Sequence, residues 1–221
     1  MMKYSAIVLL GGSSTRFASN GLNKVYLPIN GKPLFTYSVN AFLSDKDCEK
    51  IIVVYNKKDY DIIKDYTFDR TTFVPGGAER YDSVLCGLNA TSSEYVLVHD
   101  GARPYVNLEL IERVKEGLNK QISVSLGVPV TDTIKEVTNK VKTIDRENLW
   151  YIQTPQGSKR IELVKMLSQI KKEDKITDDL MAFEKYSNVT PLIVLGDKKN
   201  IKVTTMDDYE YIKYLMETKN V

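Results

Sequence analysis

Short runs of consecutive apolar residues alternate along the chain with stretches in which apolar positions recur every three or four residues. The runs predict strands at Ala6–Leu10, Ile51–Tyr55, Thr71–Val74, Tyr95–Val98, Ser123–Val130, Leu192–Leu195 and Ile201–Thr204. Most are apolar throughout rather than alternating, the pattern of strands covered on both faces. Helices are expected between them at Pro33–Leu43, Glu79–Asn89, Leu108–Leu118, Arg160–Ser168, Asp178–Tyr186 and Asp207–Glu217. Pro33 suits a first helical turn, and Asn107 is placed to cap the helix that follows it. Tyr81, Val84, Leu85 and Leu88 fall at i, i+3, i+4 and i+7, so that helix has one apolar face. Tyr209, Ile212 and Met216 make the stripe of the last helix, with Thr205 placed to cap its start. This β-α alternation predicts an α/β protein, a three-layer α/β/α sandwich on a mostly parallel sheet. Such sheets bind ligands at the carboxyl ends of their strands. The loops after Leu10, Val74 and Val98 are therefore expected to share one crevice.

One segment breaks the rhythm. Val128–Gln156 has no helical stripe, is rich in β-branched residues and carries a turn signal near Asn139. It reads as an extended β-hairpin leaving the sheet, a protruding arm at about 131–152. An isolated hairpin is marginal in water, so a second subunit is the economical surface for it to pack on.

Composition narrows the picture. The chain has 221 residues, which suggests one domain over 1–221. The formal net charge of +2 gives no bulk argument for nucleic acid or a membrane surface. Two cysteines, Cys48 and Cys86, and one histidine cannot supply a zinc site of the usual spacing. They read as free thiols in a reducing compartment. His99 sits directly before Asp100 at a strand end and reads as structural. No targeting signal is legible and no run is long enough to cross a bilayer, so a cytoplasmic location is expected.

The candidate chemistry lies at the strand ends. In "LLGGSSTRF" two glycines follow a strand, allowing backbone N–H groups to approach anionic oxygens. Gly11-Gly12-Ser13-Ser14 supplies neither the dinucleotide fingerprint nor a P-loop. A triphosphate loop remains, with Arg16 and Lys24 as cations that neutralise charge built up in nucleotidyl transfer. The alternative is a glycine turn with surface cations. "PGGAERYDSV" repeats the arrangement: glycines let a base lie close to the backbone, while Glu79 and Arg80 read equally well as solvated first-turn charges. In "VLVHDGARPYV" Asp100 ends a buried strand and Arg103 follows three residues later. An acid there suits Mg²⁺, a hard cation, or a structural Asp–Arg pair. Thr133, Arg146 and Lys202 are single polar residues in "VTDTIK", "DRENLW" and "NIKVTT".

Together these motifs resemble the 2-C-methyl-D-erythritol 4-phosphate cytidylyltransferases of the non-mevalonate isoprenoid pathway. The anchors "LGGSSTRF…NK", "GGAERYDSV", "VHDGARP", "VPVTDTIK", "RENLWYIQTPQ", "TDDLMAFE" and "NIKVTT" follow in order nearly end to end. The resemblance implies the Rossmann-like nucleotidyltransferase fold and transfer of CMP from CTP to a polyol phosphate. It implies that Gly11 and Gly12 cradle the CTP phosphates and that Arg16 and Lys24 stabilise the transition state. It assigns Gly77, Ala78 and Ser83 to cytosine, and Asp100 to substrate hydroxyls or Mg²⁺ with Arg103 in support. Thr133, Arg146 and Lys202 would hold the methylerythritol phosphate. In this family the arm embraces a second subunit, so a homodimer is implied, with Thr133 and Arg146 acting across it.

The chain also departs from the family pattern. Ser14 stands where a second glycine is usual, Phe17 where methionine is usual and Val25 where glutamine is frequent. Asn23 stands where proline is common, although Asn-Lys occurs in the family. Lys24 is one residue farther from Arg16 than in many members. That longer spacing also suits an alditol-phosphate cytidylyltransferase, such as the ribitol 5-phosphate enzyme of teichoic acid synthesis. The rival usually carries Ser-Val where Gly101-Ala102 stand here. A catalytically silent CTP-binding subunit would keep the fold and lose turnover. A nicotinamide dehydrogenase would need the glycine pattern that is missing.

Overall fold

The structure, a computed structural model, describes residues 2–11 and 23–218. Its elements begin with strand β1 (Tyr4–Leu9), a two-stranded ribbon of β2 (Pro28–Ile29) and β3 (Lys32–Pro33), helix α1 (Leu34–Leu43) and strand β4 (Cys48–Tyr55). The short helix α2 (Tyr60–Ile63), β5 (Thr71–Pro75), α3 (Arg80–Asn89), β6 (Tyr95–Asp100), α4 (Leu108–Leu118) and β7 (Ser123–Pro129) follow. Then come β8 (Ile134–Val137), β9 (Val141–Ile144), β10 (Trp150–Lys159), α5 (Arg160–Leu167), α6 (Asp179–Tyr186), β11 (Leu192–Leu195) and α7 (Met206–Thr218).

Seven strands form the central sheet in the order β11-β7-β10-β6-β1-β4-β5, and β10 is antiparallel to both its neighbours while the other pairings are parallel. The continuous apolar runs have the expected cause. In β1 and just beyond it, Tyr4, Ala6, Val8 and Leu10 point to the layer holding Phe35, Val39 and Phe42 of α1 and Ile111 and Val114 of α4. Ile7 and Leu9 point the other way, to Val84 and Leu88 of α3, Leu163 and Met166 of α5 and Phe183 of α6. Period-two alternation across a doubly covered sheet makes nearly every position apolar. A third cluster seats the α7 stripe, Tyr209, Ile212 and Met216, against Ile29, Leu34 and Val203.

Two caps act where expected, whereas Pro33 ends β3 and stands just before α1 rather than in its first turn. The Asn107 side chain accepts from the Leu110 N–H at 3.0 Å, and Thr205 Oγ1 accepts from the Asp208 N–H at 3.2 Å. Two elements differ from the expectation. Residues 201–204 form no strand; Val203 makes one backbone bond, to the Ala102 carbonyl at 2.9 Å, as the segment crosses the carboxyl ends of the strands. The hairpin is also shorter than 131–152. Strands β8 and β9 pair only with each other, while Trp150 already pairs with Pro129 in the main sheet. The chain from Trp150 returns as β10, where the buried side chains of Gln153, Thr154 and Gln156 find polar partners. Their polarity and an internal proline hid a central strand.

Helix α3, whose start faces the crevice, sits hard against the sheet. A Cβ on Gly87 would lie 2.5 Å from Ile7 Cγ2, a methyl on a fully buried strand residue. Gly87→Ala should therefore lower stability by about 1–3 kcal/mol from overpacking, despite the better helix propensity of alanine. A chemical denaturation midpoint at or above that of the parent chain would contradict this packing.

Candidate active site

The loops after β1, β5 and β6 meet as expected. Gly11, Gly77, Ala78, Ser83, Asp100 and Lys202 all line one crevice of about 540 Å³, together with Tyr55, Lys58 and Arg80. The glycine loop after β5 is built by side chains of α3. Glu79 and Asp82 form a capping box, and Ser83 Oγ accepts from the Gly77 N–H and donates to the Glu79 carbonyl, both at 3.2 Å. A Cβ on Gly77 would fall 2.2 Å from Asp82 Cβ, so the close turn excludes a side chain. The loop thus presents backbone rather than bulk to the crevice.

Asp100 is the floor. Lys202 Nζ lies 3.0 Å from Oδ2, Arg103 Nε 3.6 Å from Oδ2 and Arg80 Nε 3.9 Å from Oδ1. Burial pushes the Asp100 carboxyl up, but Lys202, Arg80 and Arg103 outweigh it and hold the group below the usual carboxylate range. The group is ionised at neutral pH. Arg103 stands behind it, donating to the Asn200 carbonyl at 2.8 Å. Lys202 arrives because residues 201–204 cross the strand ends instead of joining the sheet.

Arg80 is no solvated charge. It forks onto the buried Asp179 at 2.7 and 3.3 Å, and Asp179 takes its own backbone bond to Gln156 Oε1 at 3.0 Å. Sequence reasoning left Arg80 open between a functional and a solvated charge, and it missed Asp179 and Gln156. The available signal was the polar run of "IQTPQ" and "TDD" in otherwise apolar surroundings.

His99 is structural, as expected. Its Nε2 lies 3.0 Å from the Arg103 carbonyl, which only accepts, so Nε2 carries the proton. Its Nδ1 accepts from Thr154 Oγ1 at 3.0 Å, and that oxygen accepts from the Asp100 N–H at 3.0 Å. The relay fixes the loop that carries Asp100 and Arg103.

Lys24 is half-buried on the turn Lys24–Tyr26, off the described crevice wall. Gly12 and Arg16 lie outside the described residues. Thr133 and Arg146 are exposed beside the hairpin, where Arg146 donates to the Thr131 carbonyl. They are not part of the crevice in their own chain. Among the described residues no group of three or more His, Cys, Asp or Glu is arranged to hold a metal ion. Asp100 is a single carboxylate, which fits Mg²⁺ held mainly by substrate phosphates rather than by a protein cage. No helix among the described residues is long and apolar enough to cross a membrane.

Comparison with known proteins gives one answer. The family model described as IspD: 2-C-methyl-D-erythritol 4-phosphate cytidylyltransferase matches residues 4–218. A protein of that name from Lachnospira eligens is 36% identical over 218 residues, covering 93% of this chain and 96% of its own. The one from Dictyoglomus thermophilum is 36% identical over 98% of this chain and 97% of its own. Among solved structures, the 4-diphosphocytidyl-2C-methyl-D-erythritol synthase of Anaerococcus prevotii superposes with a TM-score of 0.86 at 29% identity, covering 98% and 99% of the two chains. The Francisella tularensis cytidylyltransferase gives 0.82 at 30% identity, covering 96% and 99%.

Burial drives the His99 imidazole down to about 4. A depressed histidine contributes stability above the unfolded value near 6.5 that is lost as pH falls toward the folded value. Between pH 7 and pH 4 the parent chain should lose about 3 kcal/mol more unfolding free energy than His99→Gln. Parallel losses in urea titrations would contradict a neutral buried ring.

Proposed function

The chain belongs to the 2-C-methyl-D-erythritol 4-phosphate cytidylyltransferase family, and we propose that its crevice transfers CMP from CTP to 2-C-methyl-D-erythritol 4-phosphate, releasing pyrophosphate. The observation that carries the reading is the meeting of two glycine-lined strand ends with one ionised carboxylate ringed by cations.

The acceptor's phosphate oxygen forms a bond to the α-phosphorus of CTP. The bond from that phosphorus to the bridging oxygen breaks, and its electron pair leaves with pyrophosphate. The nucleophile is already anionic, so no strong base is required, in keeping with a buried histidine whose ring nitrogens are both engaged. The backbone at Gly77 and Ala78, braced by Ser83, reads cytosine. Gly11 and Gly12 approach the triphosphate, and Arg16 and Lys24 offset charge at the α-phosphorus. Asp100 takes ribose or acceptor hydroxyls, with Arg103 bracing it, and Lys202 orients the acceptor phosphate. Mg²⁺, when bound by Asp100 and the CTP phosphates, would supply neutralisation of the triphosphate charge.

Thr133 and Arg146 complete the acceptor site of a second subunit. The hairpin supports this: Val137 and Val141 are 70% and 68% exposed, and Trp150 and Tyr151 are exposed at its base. Such apolar surface on a two-stranded ribbon asks for a partner. The enzyme is thus read as a homodimer. Gly101-Ala102 is the pair usual in the methylerythritol enzymes, and a Cβ at Gly101 would meet Leu10 Cδ2 at 2.6 Å. The Ser-Val pair usual in the rival does not fit this packing.

The test is pyrophosphate release from CTP and Mg²⁺ with methylerythritol 4-phosphate and ribitol 5-phosphate in parallel. Turnover with the first acceptor alone is expected, and turnover mainly with ribitol 5-phosphate would overturn the assignment. Arg16→Ala and Lys24→Ala should each cost about a hundredfold in kcat, roughly 3 kcal/mol of barrier. Unchanged kcat in either variant would remove that residue from the chemistry.

A further inference from the structure

Asn23 precedes Lys24 and is almost fully buried. Its side chain touches three separate pieces of chain. Nδ2 donates to the Leu10 carbonyl at 2.8 Å and reaches Asp59 Oδ2 at 3.5 Å, while Oδ1 accepts from the Val25 N–H at 3.4 Å. The carbonyl and carboxylate only accept and the N–H only donates, so the orientation of the amide is determined. The short bond joins the end of β1 to the residue before Lys24, across 12 intervening residues of sequence that include the glycine pair and Arg16. The longer contact reaches Asp59, a buried carboxylate in the turn Lys57–Asp59 that follows β4 and carries the crevice residue Lys58. The capping contact starts the turn Lys24–Tyr26 itself.

The other side of Lys24 is fixed by packing. Val25 and Tyr26 are buried, and the Tyr26 ring meets Phe35 edge-on at 5.9 Å. The lysine therefore stands between a three-way polar clasp and an aromatic anchor. Asn23 has φ −68° and ψ 131°, a backbone that proline would also adopt. Where proline is common in the family, its ring presets this exit. Here an amide holds the same backbone by reaching the strand and the neighbouring turn.

We propose that Asn23 is a positioning residue that sets where the Lys24 ammonium stands relative to the crevice, by clasping the end of β1, the Lys24 turn and the Lys57–Asp59 turn together. It makes no contact with substrate in this account and acts through Lys24, so it rests on the role given to Lys24 above.

A double-mutant cycle tests it, with Asn23→Ala made in the parent chain and in Lys24→Ala and kcat read from pyrophosphate release. In the parent background Asn23→Ala should lower kcat by about tenfold to a hundredfold, as small misplacements of reacting groups do. The KM for the acceptor should stay within about twofold. In the Lys24→Ala background the same change should alter kcat by less than about twofold, since the group it positions is gone. An equal loss in both backgrounds, or no loss in the parent, would overturn the proposal while leaving the role of Lys24 intact. Full activity of Lys24→Ala alone would instead overturn the reading on which the clasp rests, and the clasp with it. If Asn23→Ala does not fold, Asn23→Ser replaces it in the cycle. Serine keeps an oxygen for the Val25 N–H and removes both amide donations.

Discussion

A single buried carboxylate organises the functional end of this molecule. Asp100 sits where burial opposes ionisation, and three cations from three different places reverse that preference. Arg103 comes from the loop just beyond β6, Lys202 from a segment that crosses the strand ends, and Arg80 from the first residue of α3. A buried charge that loses its partners is costly, so each contact ties a separate element to the end of β6. Arg80 extends the chain of charges to Asp179 and hence to α6. The crevice is in this sense an electrostatic knot, closed behind by the hydrogen-bond relay through Thr154 and His99.

The knot explains the unusual central strand. β10 lies between β6 and β7 and runs against both. Its ladder shifts register between Ile152 and Gln156, and the side chains there work as brackets. Thr154 holds the Asp100 N–H, Gln156 holds the Asp179 N–H, and Gln153 accepts from the Asp197 N–H and donates to its carbonyl. An apolar strand would pack as well against the helices but would leave the loops carrying Asp100, Asp179 and Lys202 without anchors. Sheet stability and site geometry are supplied by the same ten residues.

How far the sequence disclosed this depends on how local each signal is. Leu108–Leu118 is marked by its own cap, and it is found at those residues. The glycine pairs at strand ends mark the crevice because backbone exposure is a local property. Arg80 was ambiguous because its partner lies 99 residues away, and a first-turn arginine looks the same with or without it. Lys202 was legible as a cation, but its segment looked like a strand, since Ile201 and Val203 are apolar for packing across strand ends rather than along one. β10 was hidden because buried Gln and Thr mimic a loop until their partners are known. The family motifs bridged these gaps, because they report on the assembled site rather than on any one element.

It is the charge of Asp100, rather than its shape, that draws Lys202, Arg80 and Arg103 to the end of β6. Asp100→Asn keeps the size and removes the charge, so it separates the two. The variant should stay folded, and its pyrophosphate release from CTP with methylerythritol 4-phosphate should fall by about a hundredfold or more. Turnover equal to that of the parent chain, in a variant of unchanged secondary structure, would contradict it.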